Sequence, residues 1–429
     1  MSTPSPCTLT AVESIGTDLG ARRLASARPA YDRGSLFTLA LGTFAVGTEG
    51  FMIAAILPAV AHSLRTSIPA AGQLVTIFAL TYALSSPLLT SLTAAWPRRR
   101  LLMGSLGVFT LANLFAAGAP SYGWLAAARV LLALAAGLYV PNANALASVL
   151  APAAYRGRAL AIVNGGITVA VALGVPAGAF VGAHFGWRAT FIGVAALSTI
   201  ALSVLALKLP REITVSAPAG LRERLSIVAM RGVFSTLATT TLWATGAYVV
   251  YTYVSPFLVS AAGLTPEQVG LVLTLLGVCA IGGVTLGGYA NDRIGTRRVQ
   301  AVALPVSALT FAGLTAVALA WAPYALLAIL PLIALWGLSA WSFFPPQQAR
   351  LVDVAGLSHT PVVLSLNASF MYFGFSLGAA LGSVVITLTS VAWIGAAGAS
   401  CMLCAMAVST FAWRHSHAGD AGNHHADGV

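Results

Sequence analysis

Residues 36–60 read LFTLALGTFAVGTEGFMIAAILPAV, an apolar run broken by one charge, Glu49. Roughly 20 apolar residues suffice to cross a bilayer as a helix, so this run is long enough to be a span. Glu49 then falls near the midplane, where a charged side chain costs at least ~2.5–3.5 kcal/mol. A carboxyl in that position has two uses. It can stay neutral and hydrogen-bond a neighbouring helix, or it can act as a relay that binds and releases a proton or touches a substrate.

The rest of the chain has the same character. Over 429 residues, 58% are hydrophobic and 8% are charged, with a mean hydropathy of +0.87. Soluble domains carry about a quarter of their residues as charges, so a polytopic membrane protein is expected. Residues 1–34 hold Arg22, Arg23, Arg28 and Arg33 without a long apolar core and cleavage site, and read as a disordered cytoplasmic tail. Cys279, Cys401 and Cys404 fall inside expected spans and Cys7 in the tail, which is no disulfide framework. The Cys401–Cys404 spacing lacks a second ligand pair and reads as apolar packing. His415, His417, His424 and His425 read as part of a disordered polar terminus, so no metal is expected.

Membrane-length apolar windows fall at 36–60, 71–95, 101–119, 122–148, 159–183, 187–207, 232–256, 268–290, 299–320, 323–345, 361–387 and 390–412. Twelve spans with the amino terminus inside put nineteen of the 22 Lys and Arg residues on the cytoplasmic side, leaving Arg65 and Arg188 outside and Arg129 within the fourth span. Both termini are therefore expected to be cytoplasmic. This spread of charge between spans also removes any need for a nucleic-acid partner. The longest connection, 208–231, divides the chain into six-helix bundles at 35–207 and 232–412, followed by a cytoplasmic tail at 413–429. The halves echo one another: Gly174-Val175-Pro176-Ala177-Gly178 in the fifth span stands 204 residues before Gly378-Ala379-Ala380-Leu381-Gly382 in the eleventh, with Asn164 and Asn367 ahead of them. Parallel six-helix repeats are a transporter architecture.

After the eighth span the chain reads Gly287-Gly288-Tyr289-Ala290-Asn291-Asp292-Arg293-Ile294-Gly295-Thr296-Arg297-Arg298, which resembles the loop signature of the major facilitator superfamily. In this reading Gly288 allows close helix packing, Gly295 a tight turn, Asp292 faces the amino-terminal end of the fifth span near Arg156 and Arg158, and Arg293, Arg297 and Arg298 hold the loop at the anionic leaflet. The first-half counterpart, Thr90 to Arg100, keeps only its basic cluster. Arg129-Val130-Leu131-Leu132-Ala133 resembles the superfamily's intramembrane Arg motif, with Ala133 where Gly is usual. Gly174-x-Pro176-x-Gly178 resembles the motif of proton-linked drug antiporters. Gly47 to Phe51 and Gly186 to Phe191 resemble segments of their bacterial twelve-helix group, which includes arabinose, sugar and chloramphenicol efflux permeases. The likeness covers about residues 35–412.

The expected proton-coupling and substrate residues are Glu49, Arg129, Asn142, Asn164, Tyr251, Asn367 and Tyr372, with Asn144, Tyr82 and Tyr139 as further polar candidates. Neutral amides and phenols bind solutes without a permanent charge penalty, but they also serve as ordinary interhelical partners. Arg129 either meets Glu49 or snorkels to the outer interface. The resemblance implies an all-α secondary transporter in the inner membrane that expels a small molecule, such as a drug or sugar, against a proton gradient by alternating access. Uptake by the same fold is the alternative, and a non-transporting sensor a more remote one. An enzyme is not expected, since the chain shows no phosphate-binding loop at its sole lysine, Lys208, and no intramembrane His pair. No cofactor is expected beyond the proton gradient, and no partners beyond substrate, protons and lipid, the chain acting as a monomer.

Overall fold

The computed structural model describes residues 33–152, 155–209, 220–230, 232–320 and 325–423. Its regular structure there is helical. The first half comprises α1 (Arg33–Ser63), α2 (Ile68–Leu92), α3 (Arg98–Ala117), α4 (Tyr122–Leu150), a fifth span built from α5 (Arg156–Val169), a π-helical segment (Ala170–Gly174) and α6 (Val175–Phe185), and α7 (Trp187–Lys208). The second half comprises a short α8 (Leu221–Val228), α9 (Val233–Thr252) continued by α10 (Val254–Ala262), α11 (Pro266–Ile294), α12 (Thr296–Ala320), α13 (Ala325–Ser342) continued by α14 (Phe344–Ala355), α15 (Thr360–Leu388) and α16 (Ile394–Asn423).

Eleven of the described helices are long and apolar enough to cross a membrane, and α9 makes the twelfth when counted with Arg222–Val228, from which it bends by 87°. Its hydropathy is diluted by Thr236, Thr239, Thr240, Thr241, Thr245 and Thr252. All of these hydroxyls but that of Thr252 turn back onto the helix, as Thr236 does onto Gly232 O at 2.8 Å and Thr245 onto Thr241 O at 2.8 Å, so a polar composition costs the span little in lipid. Between spans the chain turns tightly: Gly186 and Gly295, at φ +82° and +81°, each join two helices through one residue that side chains with a Cβ rarely tolerate. On the opposite face from Gly295, Thr265 and Gln268 form a reciprocal capping box that starts α11.

Three expectations are revised. The 208–231 connection is not bare linker, because α8 forms within it, burying Ile227 against Val233, Leu237 and Leu351 and donating from Arg224 to Ser365 Oγ at 3.0 Å. The last helix runs through Asn423, so the polar tail expected from 413 begins as helix rather than disordered chain. Gly288 faces open space, and the close approach is made by Gly287, where an added Cβ would lie 2.7 Å from Ser342 Cα. The tail at 1–32 with Cys7 and three of its arginines, together with Arg211, Arg231, His424 and His425, lies outside the described residues.

Within the first bundle α1 packs on the fifth span and α7, and α4 packs on α2 and α3; within the second, α9 packs on α15 and α16, and α11 and α12 on α13. The repeated glycines set the closest contacts. A Cβ on Gly174 would run into the Thr48 hydroxyl, and one on Gly178 would sit 3.0 Å from Met52 Cβ of α1. In the other half a Cβ on Gly378 would lie 2.5 Å from Thr245 O of α9. Both spans thus use four-residue glycine spacing to bring backbones together. Pro176 lacks the N–H that would bond Ala172 O, and the π segment lies just where that bond is missing.

The bundles meet along α2 with α15, and along α11 with the fifth span, where contact is richest at α6 and the π segment and thins over α5. Gly277 of α11 touches the π segment, its added Cβ falling 2.7 Å from Val171 O. Towards the end away from the basic loops, Ser383 donates to Pro69 O at 3.1 Å across the boundary, and Tyr253 donates to Ala379 O at 2.9 Å while filling a notch between Gly72 and Gly382.

Gly287→Ala should destabilise the purified protein by the ~1–3 kcal/mol typical of overpacking and so lower its thermal unfolding midpoint, while Gly288→Ala should not lower it. Equal effects from the two variants, measured by thermal unfolding in detergent, would contradict this packing.

Candidate functional site

Glu49 on α1 and Arg129 on α4 are both fully buried, at 0% exposure, and they pair directly, Arg129 Nη1 donating to Glu49 Oε1. Arg129 stands seven residues, about 10 Å, into its helix, and it turns inward to the carboxylate rather than snorkelling outward. Its Nε donates to Leu74 O of α2 at 3.2 Å, and its guanidinium lies 4.3 Å from the centre of the Phe78 ring. Three helices therefore close around one charge pair, the only ion pair among the described residues. Glu49 Oε2 and Arg129 Nη2 are buried without a hydrogen-bond partner, so the pair keeps one acceptor and one donor free.

Over the pair sits a cluster of aromatic rings contributed by both bundles. Tyr82 of α2 stacks on Tyr372 of α15 with centroids 3.7 Å apart and planes at 19°, and Tyr248 stacks on Phe375 at 3.6 Å and 16°. Phe51, two residues beyond Glu49, meets Tyr251 edge-on at 5.9 Å, and the Tyr251 hydroxyl donates to Phe51 O at 3.1 Å. Phe78 lies 6.5 Å from both Tyr82 and Tyr372, which links the cluster to the Arg129 guanidinium. Edge-to-face and offset pairs of this kind are worth ~0.5–1.5 kcal/mol each beyond the area they bury. Of the sequence candidates, Glu49, Arg129, Tyr82, Tyr251 and Tyr372 come together here. Phe51, Phe78 and Phe375 join them unannounced, because an apolar ring inside an apolar run has nothing around it to contrast with, and so does Tyr248, a phenol like Tyr251 one turn further along.

The amide candidates lie elsewhere. Asn142 accepts from Arg98 Nη1 at 2.7 Å and donates to Leu138 O at 2.6 Å. It is thirteen residues, roughly 20 Å, along α4 from Arg129 and holds the start of α3 rather than facing the pair. Asn144 donates to Asn164 at 3.2 Å in an exposed contact between α4 and α5. Tyr139 is buried against Gly42 with its hydroxyl on Leu39 O at 3.2 Å, an interhelical bond. Asn367 accepts from Thr240 at 2.8 Å, and Thr240 accepts from Gln347 at 2.9 Å. Gln347 in turn accepts from Gln300 at 2.7 Å, and Ser409 donates to Gln300 at 3.2 Å. This buried amide chain ties together five helices of the second bundle, and Gln300 and Gln347 were not singled out from the sequence.

At the signature loop, Asp292 is exposed, and no ion pair joins it to Arg156 or Arg158 as the sequence reading expected; both arginines are exposed. Arg293 lies 4.9 Å from the Tyr289 ring, Arg297 and Arg298 are exposed, and Asn291 accepts from Thr296 at 2.8 Å to brace the Gly295 turn. The degenerate first-half loop uses its basic cluster internally. Arg98 is bound as described, and Arg99 donates to Leu209 O and Ala206 O at 3.1 and 2.6 Å, closing the end of α7. One enzyme-like pattern does occur, Gly374-Phe375-Ser376-Leu377-Gly378, but it lies mid-helix in α15 with Ser376 buried, not on the strand-to-helix turn that exposes a nucleophile.

The model of the Major Facilitator Superfamily matches residues 39–379 and 236–426 of this chain. An uncharacterized MFS-type transporter of Bacillus subtilis (strain 168), YbcL, is 36% identical over 366 residues, covering 85% of this chain and 92% of that protein. A chloramphenicol resistance protein of Streptomyces lividans is 32% identical over 358 residues, covering 82% and 88% respectively. The crystal structure of a bacterial homolog to the human lysosomal transporter Spinster, in an inward-facing and unoccupied conformation, superposes with a TM-score of 0.71 at 17% identity, covering 90% of this chain and 98% of that one. The twelve-span architecture and the matches along its length agree: the chain belongs to the Major Facilitator Superfamily and is a multi-pass secondary transporter that works by alternating access.

Proposed function

We propose that the protein expels a small molecule in exchange for protons, with both termini cytoplasmic, and that Glu49 is the coupling group. The observation that carries the proposal is the buried Glu49–Arg129 pair beside the cross-bundle aromatic cluster. A proton arriving at Glu49 removes the charge that holds Arg129. Loss of the proton restores the attraction, so one site has two arrangements that a proton selects. Because Phe78 and Tyr372 connect Arg129 to rings of the other bundle, a change in the pair is felt where the halves touch. The signature loop at the end of α11, with Gly288, Asp292, Arg293, Gly295, Arg297 and Arg298, and the fifth-span Gly174, Pro176 and Gly178, are assigned to the conformational change, since α11 and the fifth span are the two elements that meet across the bundle boundary. The similarity to a chloramphenicol resistance protein of Streptomyces lividans favours outward transport and a drug-like substrate.

In inside-out vesicles with an imposed pH gradient, wild-type protein should accumulate radiolabelled chloramphenicol or another solute found by susceptibility screening. Glu49→Gln should abolish gradient-driven accumulation yet retain solute binding; undiminished pH-driven transport by that variant would remove the coupling role. Arg129→Met leaves a buried carboxylate alone and should cost ~3–5 kcal/mol of stability, most of it recovered in the Glu49→Gln/Arg129→Met double variant, as read by thermal unfolding. Reporters fused after Arg298 and within residues 261–267 should register on opposite sides of the membrane, the first in the cytoplasm.

A further inference from the structure

The charge balance of the central cluster limits what it can hold, an inference that rests on reading this cluster as the substrate site. Among residues whose side chains are described, the other acids, Glu223, Glu267, Asp292 and Asp353, are all exposed and lie in or near the end turns of their helices. Glu49 is therefore the one acid of the membrane interior there, and Arg129 lies against it. The pair is neutral when Glu49 is ionised and carries one positive charge when it is protonated. The phenols around it, Tyr82, Tyr248 and Tyr372, are uncharged in both states. The site is never negative.

Aromatic boxes often attract cations through their ring faces. Here the face of Phe78, the ring in direct contact with the charge pair, is already covered by the Arg129 guanidinium at 4.3 Å. A permanent cation entering the cluster would meet like charge, with no free carboxylate to balance it. The unpartnered atoms point to different chemistry. Glu49 Oε2 is a free acceptor beside Arg129 Nη2, a free donor, and a buried group left without a partner favours any molecule that supplies one. Above them, the Tyr82–Tyr372 stack, 3.7 Å apart and nearly parallel, is formed by one ring from each bundle. Separation of the bundles exposes both ring faces to a flat guest.

We propose that the transported compounds are uncharged, flat aromatic molecules bearing an adjacent hydrogen-bond donor and acceptor, such as a carboxamide, and that quaternary ammonium compounds are excluded. Equilibrium dialysis of the full-length protein in detergent, with no gradient, tests this with 2-naphthamide and (2-naphthylmethyl)trimethylammonium, which share a ring system and differ in charge. The amide should bind at least about tenfold more tightly than the cation, and Tyr372→Ala should weaken it about fivefold or more. Arg129→Gln, which exposes the carboxylate, should reverse the preference. Should that variant fail to fold, the uncharged Glu49→Gln/Arg129→Gln protein should bind the amide with the discrimination lost. Cation binding equal to that of the amide, or no amide binding at all, overturns the proposal. Selective amide binding without proton-driven transport would instead uphold this substrate class and overturn the exchange mechanism.

Discussion

A carboxylate and a guanidinium side by side in a dry helical bundle form the constraint on which the first half is built. Each charge alone would be strongly unfavourable in that environment, and each is tolerated because the other is within contact and because Leu74 O and the Phe78 ring take part of the guanidinium's remaining demand. That arrangement needs α1, α2 and α4 at fixed separations. Supporting contacts follow from it: Gly174 and Gly178 let the fifth span close on the back of α1, and Tyr139 is seated at Gly42 further along the same helix. Moving any of these helices by an ångström would either separate the pair or force the two side chains into a clash.

The second half solves the same packing problem without an ion pair among its described residues; its buried Arg350 donates to Ser409 Oγ at 3.4 Å and lies over the Trp413 ring at 4.1 Å. At the places related by the internal repeat, the Arg98–Asn142 bond between α3 and α4 is matched by the Gln300–Gln347 bond between α12 and α13–α14, both 2.7 Å. The residue 204 positions after Glu49 is Tyr253, which reaches a backbone carbonyl instead of an arginine. A network of neutral amides and hydroxyls has no protonation state to change near neutral pH. One bundle thus buries a carboxylate–guanidinium pair, and the other a framework of amides and hydroxyls. Under the exchange mechanism proposed above, this division of chemistry would let a proton act on one body while the other keeps its shape.

Much of this was legible in the sequence where a residue stood out against its surroundings. Glu49 and Arg129 are charges in apolar runs, Tyr251 and Tyr372 are hydroxyls in apolar runs, and Gly295 sits where a turn must fall; the fold gathers the first four around one buried cluster and puts Gly295 in a one-residue turn. What was misread had no such contrast. An asparagine looks the same whether it faces a solute or, like Asn142, satisfies an arginine. Gly287 and Gly288 are adjacent but point about 100° apart around the helix, and hydropathy in a segment surrounded by lipid and protein does not fix which one faces a neighbour. The rings of Phe51, Phe78, Tyr248 and Phe375 converge only through contacts between distant helices, which no local pattern encodes.

The π segment at Ala170–Gly174 bears on how the fifth span stays in register with α1. Glycines four residues apart in a regular α-helix drift by about 40° per step, because four residues exceed one turn of 3.6. Over the sixteen residues from Gly166 to Gly182 such a drift would carry the stripe well off its partner, yet Gly166, Gly174, Gly178 and Gly182 all face α1. The wider π turn falls short of a full revolution in four residues and winds the stripe back. Seen this way the segment is an angular correction held as one surplus residue. Deleting a single residue between 170 and 174 removes about 100° of rotation, and turning the residues that remain from π to α restores most of it, so the deletion keeps the glycine stripe nearly on α1; straightening the segment with all its residues kept would instead carry the glycines beyond it off that helix.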